Sequence, residues 1–242
     1  MKSQKVTKNT TSRDPAAATG QPVGHGRWYN DACGTAFGLE VIGERWALLV
    51  VRELMLGARR FSDLRAALPG ISAKVLTERL AALEASGVVA RRMLPPPGKA
   101  QVYELTAWGL AAEPLIQELG RWAAHSRAHD PRLPLSAVSL MLSLRTMLDP
   151  HACAAFDGRI GFVIGGESFL AEPVGRELPI RRGDPEAADA VFHAPSADVI
   201  AAGIYAGVPW EELEANAGLA ITGARARALA FAGMFSLPAP LA

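Results

Sequence analysis

Apolar residues recur at helical spacing from Asp31 onward and switch to strict alternation near residue 88. Asp31 caps a predicted helix to about Ile42, with Phe37, Val41 and Ile42 on its apolar side; Gly43 breaks it. Glu44 to Leu56 carries Trp46, Leu48, Leu49, Val50, Leu54 and Met55, which predicts a dense core helix ending at Gly57. Phe61 to Leu68 reads as a third helix and Pro69-Gly70 as a turn. Ser72 caps a fourth helix to Ser86, where Leu76, Leu80 and Leu83 form a buried stripe at spacings of four and three. Ala73, Lys74, Thr77 and Glu78 take its other face. Val88 to Met93 and Gln101 to Leu105 alternate as two strands around Leu94 to Ala100, a loop too long and too rich in proline for a two-residue turn. Thr106 then caps a helix to about Ala128, with Leu110, Leu115, Ile116, Leu119 and Trp122 on its apolar side. Pro114 inside that span predicts a kink or a late start.

Helix, turn, helix and basic hairpin is the order of a winged helix-turn-helix, a module that lays its second helix in the major groove of DNA. Charge sharpens this. The net charge of +1 divides into 17 Lys/Arg against 12 Asp/Glu over residues 1–130, and 8 against 12 over residues 131–242. Arg59 to Lys99 alone holds 8 basic residues against Asp63, Glu78 and Glu84. A basic patch confined to the helix and hairpin is what phosphate neutralisation needs. The expected DNA contacts are Arg60, Ser62, Ser72, Ala73, Lys74, Thr77, Glu78, Arg91, Arg92 and Lys99.

The second half changes period twice. Pro131 to Pro134 reads as a linker, and Leu135 to Leu148 as a strongly apolar helix. Arg159 to Ile164, Glu167 to Glu172 and Arg176 to Arg181 then alternate as three antiparallel strands, broken at Gly165-Gly166 and Pro173 to Gly175. Asp189 to Ala194 reads as a fourth strand. Helices follow from Pro195-Ser196 to Tyr205 and around Trp210 to Ala215, then a short strand Leu219 to Gly223 and a last helix Ala224 to Phe235. The expected divisions are a disordered arm over 1–27, a winged helix over 28–130, a linker over 131–135 and an α+β domain over 136–242.

The 242 residues exceed the roughly 90 to 120 of one winged helix. No apolar run reaches the roughly 18 residues of a membrane span, and the polar start carries no hydrophobic signal region, so a cytoplasmic protein without a membrane partner is expected. Two cysteines, Cys33 and Cys153, are too few for a disulfide framework. His125 and His129 stand four apart, but no carboxylate or cysteine completes a metal site. No phosphate-binding glycine loop and no nucleophile–base–orienter set is readable, so no catalytic residue, cofactor or enzyme activity is expected.

Ile42-Gly43-Glu44-Arg45-Trp46, Leu56 to Leu64, Pro69-Gly70-Ile71-Ser72, Leu76-Thr77-Glu78-Arg79-Leu80 and Tyr103-Glu104-Leu105-Thr106 together resemble the HxlR-type winged helix regulators over about residues 28–127. The resemblance implies a homodimer, built from the first and last helices of this domain, that sets two recognition helices on a two-fold operator in double-stranded DNA, most simply as a repressor. Some members sense oxidants or electrophiles through a cysteine just before the first helix. Cys33 holds that position, although Gly34 replaces the usual proline and no second cysteine lies nearby. Redox sensing through Cys33 is thus an alternative input.

The order of elements after residue 136, with Asp189-Ala190-Val191-Phe192, Ala206-Gly207 and Leu219 to Gly223, resembles a sterol-carrier-like (SCP2-like) domain. It implies an antiparallel sheet covered by helices around a tunnel for an apolar ligand. The expected lining is Met147, Phe162, Phe169, Phe192, Ile204, Tyr205, Trp210, Phe231 and Phe235. A third reading is a lipid-type carrier or enzyme that retains a winged helix.

Overall fold

The computed structural model describes residues 29–96 and 99–241. The arm over residues 1–27 and the wing tip Pro97-Gly98 lie outside the described residues. The first half runs α1 (Gly34–Ile42), α2 (Ala47–Leu54), α3 (Phe61–Ala67), α4 (Ala73–Ala85), β1 (Val89–Met93), β2 (Gln101–Leu105), α5 (Ala107–Leu110) and α6 (Glu113–Ala124). The second half runs α7 (Ala137–Thr146), α8 (Pro150–Ala155), β3 (Ile160–Ile164), β4 (Glu167–Ala171), β5 (Ile180–Arg182), β6 (Ala190–Ala194), α9 (Ala197–Tyr205), α10 (Trp210–Asn216), β7 (Ala220–Gly223) and α11 (Arg225–Ala232).

The winged helix forms as its residues dictate. Val50, Val51 and Leu54 of α2 and Leu64 of α3 are buried beside Leu76, Leu80 and Leu83 of α4. Burying each such side chain contributes roughly 1.5–3 kcal/mol. Ser72 Oγ accepts from the Val75 N–H at 3.2 Å, satisfying one of the free donors at the start of α4. Gly70, at φ +90°, makes the turn between α3 and α4 where a residue with a Cβ would be strained. The helix expected from Thr106 divides at Ala111-Ala112 into α5 and α6. Thr106 Oγ1 caps α5 through the Gly109 N–H at 3.1 Å, and Pro114 falls in the first turn of α6, where its missing N–H costs nothing. Gly109 permits α5 to press on the hairpin, since a Cβ there would stand 2.2 Å from the Val88 carbonyl oxygen.

The second half holds a five-stranded sheet in the order β5-β4-β3-β6-β7. The expectation of an antiparallel sheet is corrected at one place: β3 and β6 run parallel, with Phe162 opposite Phe192, while the other pairs are antiparallel. Alternation fixes which face a side chain takes, and says nothing of strand direction. After β5 the chain crosses to the free edge of β3 and enters β6 in the same sense. The helix α8, capped by Asp149 through the N–H groups of His151 and Ala152, lies between the predicted Leu135–Leu148 helix and Arg159–Ile164 strand, where periodicity assigns no element.

The two halves share one continuous core. Helix α7 packs against both α2 and α6 of the winged helix. Residues 131–135, expected as a linker, lead directly into this seam, where Ser136 Oγ donates to Glu53 Oε1 at 2.7 Å and accepts from the Ser139 N–H at 3.0 Å.

Candidate nucleic-acid interface and the seam behind it

The face of α4 opposite its leucines holds exposed Ser72, Lys74, Thr77 and Glu78, with Ala73 half-buried. Lys74 makes no ion pair among the described residues, so its charge faces solvent. Thr77 Oγ1 donates to the Ala73 carbonyl oxygen at 2.9 Å. That commits its proton, so Thr77 offers a methyl group and a lone pair outward, the two features that meet thymine methyls and base amino groups. Glu78 provides a carboxylate able to accept from a cytosine amino group. Just before α3, Arg60 is exposed and its backbone N–H donates to Asp63 Oδ2 at 3.2 Å, while on α3 Ser62 Oγ is bonded to Asp63 Oδ1 at 3.1 Å. Ser62 is therefore partly occupied within its own helix.

The wing differs most from the sequence expectation. Arg91 and Arg92 are neighbours on β1, so their side chains leave opposite faces of the hairpin. Arg91 Nε donates to both oxygens of Glu84, at 2.9 and 2.8 Å, and a further bond links the same pair through Nη2. Arg92 Nε bonds both oxygens of Glu104 at 3.1 and 3.0 Å. The Arg91 guanidinium holds the Glu84 carboxyl below the usual carboxylate range. Both arginines are thus engaged by carboxylates, and the free positive charge of the wing falls to the exposed Lys99, which has no ion pair among the described residues. A count of cations along the chain does not show which carboxylates fold beside them.

Behind the interface, Arg59 links the wing to the second half. Its backbone exchanges hydrogen bonds with Tyr103 of β2, N–H to O at 2.9 Å and O from N–H at 2.8 Å. Its guanidinium, only 8% exposed, binds Glu167 of β4, which also takes Arg182. Burial opposes ionisation of Glu167, but hydrogen bonds from Arg182 and Arg59 outweigh it and hold its carboxyl below the ordinary value. Nothing in the sequence marked Arg59 as different from its neighbour Arg60.

The expected ligand lining divides. Phe162, Phe169, Phe192 and Phe231 are fully buried. The rings of Phe162 and Phe192 stack at 5.5 Å, Phe231 meets Phe235 at 5.0 Å and Phe192 meets Trp210 at 5.5 Å. These side chains, with half-buried Ile204, pack in and against the core. Aromatic residues at strand and helix spacing serve core and pocket equally well, so periodicity does not separate the two. Met147 and Tyr205, in contrast, line a cavity of about 540 Å³ at the seam, with walls from α2, α6, α7 and α9.

Cys33 is exposed at the N-terminus of α1. The N–H groups of Thr35 and Ala36, and the Thr35 hydroxyl, favour its thiolate and lower its pKa. Cys153 is buried, and desolvation raises its thiol. Among the described residues no helix is long and apolar enough to cross a membrane, and no group of three or more His, Cys, Asp and Glu side chains forms a candidate metal site.

A capped recognition helix with its polar face open, backed by a two-stranded wing, defines a helix-turn-helix DNA-binding regulator. The HxlR-like helix-turn-helix family model matches residues 41–131. The HTH-type transcriptional regulator YvaP of Bacillus subtilis (strain 168), itself uncharacterized, is 41% identical over 85 residues, covering 35% of this chain and 79% of the relative. The HTH-type transcriptional regulator YodB of the same strain is 39% identical over 89 residues, 37% of this chain and 78% of the relative. The solved reduced form of YodB is 33% identical, with a TM-score of 0.37 over 41% of this chain and 100% of that one. The chain belongs to the HxlR-like helix-turn-helix family and is a DNA-binding transcriptional regulator.

Proposed function

We propose that the chain acts in the cytoplasm as a homodimeric repressor that binds a two-fold operator and responds to an apolar ligand through an SCP2-like second domain, residues 136–242. The observation that carries the dimer is an exposed apolar face on α1, α5 and α6. Phe37 and Trp108 stack there at 6.4 Å between ring centroids, and Leu115, Leu119 and Trp122 stand in solvent, Trp122 at 72% exposure. A water-facing apolar surface on several helices marks a contact with another protein surface. A second copy of this chain doubles the few base contacts that one winged helix can make.

Within each subunit, Lys74, Thr77 and Glu78 would read the major groove. Ser72, Arg60, Ser62 and Lys99 would hold phosphates, Ala73 would sit against the groove floor, and Arg91 and Arg92 would reach DNA only by leaving their carboxylates. The mixed sheet with α7, α9 and α11 around it supports the SCP2-like reading through element order. Selection of binding sites from random duplex DNA, with the mass of the complex measured in solution, tests the assignment. A palindromic site bound by two chains is expected; enrichment of no site, or binding by one chain, would overturn it.

Cys33 carries a second input. An exposed thiol biased toward thiolate reacts with oxidants and electrophiles, and the relative YodB has been solved in a diamide-treated form. Cys33→Ser separates the two inputs: it abolishes release of DNA by oxidant and leaves release by an apolar ligand. Release by oxidant in the variant would remove Cys33 as the sensor.

A further inference from the structure

The seam cavity lies where the DNA-binding half meets the second half, and its volume of about 540 Å³ falls within the roughly 300–1,000 Å³ of small-molecule sites. Three observations describe what would fit. Its walls are mostly apolar, with Ile116 and Ala123 of α6, Leu142 of α7 and Met147 at the end of α7 among them. Three of its hydroxyls are already engaged: Ser143 Oγ and Tyr205 Oη lie 2.8 Å apart and bond each other, and Thr146 Oγ1 donates to the Leu142 carbonyl oxygen at 2.7 Å. Its cation is not fully used. Arg52 lines the cavity and gives Nε and Nη2 to Glu53 Oε1, at 3.0 and 2.8 Å, while its Nη1 makes no hydrogen bond among the described residues. A guanidinium has five N–H donors in a planar fork, so the Nη1–Nη2 edge remains able to take a carboxylate. The lining carboxylate, Asp130, is bound by Arg132 Nε at 2.9 Å, which offsets its repulsion of an anion.

We propose that this cavity is the effector site and takes a monocarboxylic acid with an apolar body, its carboxylate on Arg52 and its chain between α6 and α7. The proposal rests on the ligand-responsive reading above and moves the site from the aromatic core to the seam. Its consequence is direct. The ligand would touch α6 beside the face offered to the second subunit, with Leu119 at the border of the two, and so would change the spacing of the two recognition helices. Such an effect requires unequal affinity for the two arrangements.

Calorimetric titration of the full chain with laurate and with dodecanol, its uncharged counterpart, tests the site. One laurate per chain and at least tenfold weaker binding of dodecanol are expected. Gly120 of α6 lines the cavity, and a Cβ built there meets nothing within 4 Å. Gly120→Phe therefore adds bulk at the cavity wall without a clash at Cβ and should lower laurate affinity at least tenfold. Arg52→Lys keeps the charge, loses the fork and should reduce the preference for laurate over dodecanol. Equal binding of laurate and dodecanol, or wild-type laurate affinity in Gly120→Phe, would overturn the proposal. Conversion of a dimeric wild type to a monomer by Gly120→Phe would assign the cavity to the second copy and overturn it too. Titration of the selected operator with and without laurate separates the two readings: a site that binds laurate but leaves DNA affinity unchanged stands as a site, and the ligand-responsive reading falls.

Discussion

The guanidinium of Arg59 grips the carboxylate of Glu167 with two hydrogen bonds, Nη1 to Oε2 at 2.8 Å and Nη2 to Oε1 at 3.1 Å. Arg59 is at the same time a backbone partner of Tyr103 in the wing. One residue therefore ties the hairpin beside the recognition helix to the second strand of the C-terminal sheet. Any shift of that sheet relative to the winged helix must either carry the root of the wing with it or break this pair.

Glu167→Gln should destabilise the chain at neutral pH by about 2 kcal/mol, less than the roughly 3–5 kcal/mol of a fully buried pair because Glu167 retains some exposure. The pH dependence follows from its lowered pKa. A carboxyl depressed in the folded state adds stability above its unfolded value of about 4.3, and that share is lost as pH falls through the folded value. The variant should thus lose less stability than the wild type on acidification below about pH 4. Urea unfolding of both chains across pH 3 to 7 checks this; parallel curves would rule out the pair as a source of stability.

Lys74→Ala should weaken operator binding and flatten its dependence on salt by about 0.9 in logarithmic slope for each phosphate that the lysine neutralises. Glu84→Gln should act in the opposite direction, since it releases Arg91 to face DNA. Fluorescence anisotropy at several salt concentrations reads both. Tighter binding by Glu84→Gln, with a steeper slope, is the expected sign.

Phe162→Ala should cost roughly 3–5 kcal/mol of folding stability, the loss typical of a buried aromatic, and leave laurate affinity of the folded chain within about twofold. Thermal unfolding and calorimetry give the two numbers separately. A small stability loss with a large affinity loss would return the ligand to the aromatic core.

Leu115→Glu with Trp122→Glu should convert a dimer to a folded monomer, because neither side chain is buried within the subunit. Operator affinity should fall at least tenfold, a change of about 1.4 kcal/mol. Analytical ultracentrifugation and circular dichroism distinguish dissociation from unfolding.

Local rules made much of the first half legible. Ser72, the three leucines of α4, the Pro69-Gly70 turn, Thr106 and Pro114 each act over a few residues, so their spacing already determined the helix starts, the buried stripe and the late start of α6. Pairings between distant residues were not legible. Arg59 and Glu167 are 108 positions apart; Glu84 and Arg91, though near in sequence, meet only because the hairpin folds back on α4. Strand alternation gave Phe162 and Phe192 their common face but not their parallel pairing. Trp46 was expected inside a helix, yet it stands just before α2 at φ +78°, a left-handed conformation that apolar spacing does not reveal. The candidate lining could not be divided into core and cavity wall for a related reason: a residue's hydrophobicity says that it avoids water, not whether protein or ligand covers it.

The bond from Ser136 to Glu53 bears on attempts to dissect the chain. Glu53 is fully buried, and its Oε2 has no protein partner among the described residues. A fragment ending before Ser136 would remove the hydroxyl donor to its other oxygen and bare the apolar flank of α2 that α7 covers. The winged half of this regulator is therefore a poor stand-alone reagent, and transplanting it onto another effector module would demand a replacement for α7, not merely a new tether.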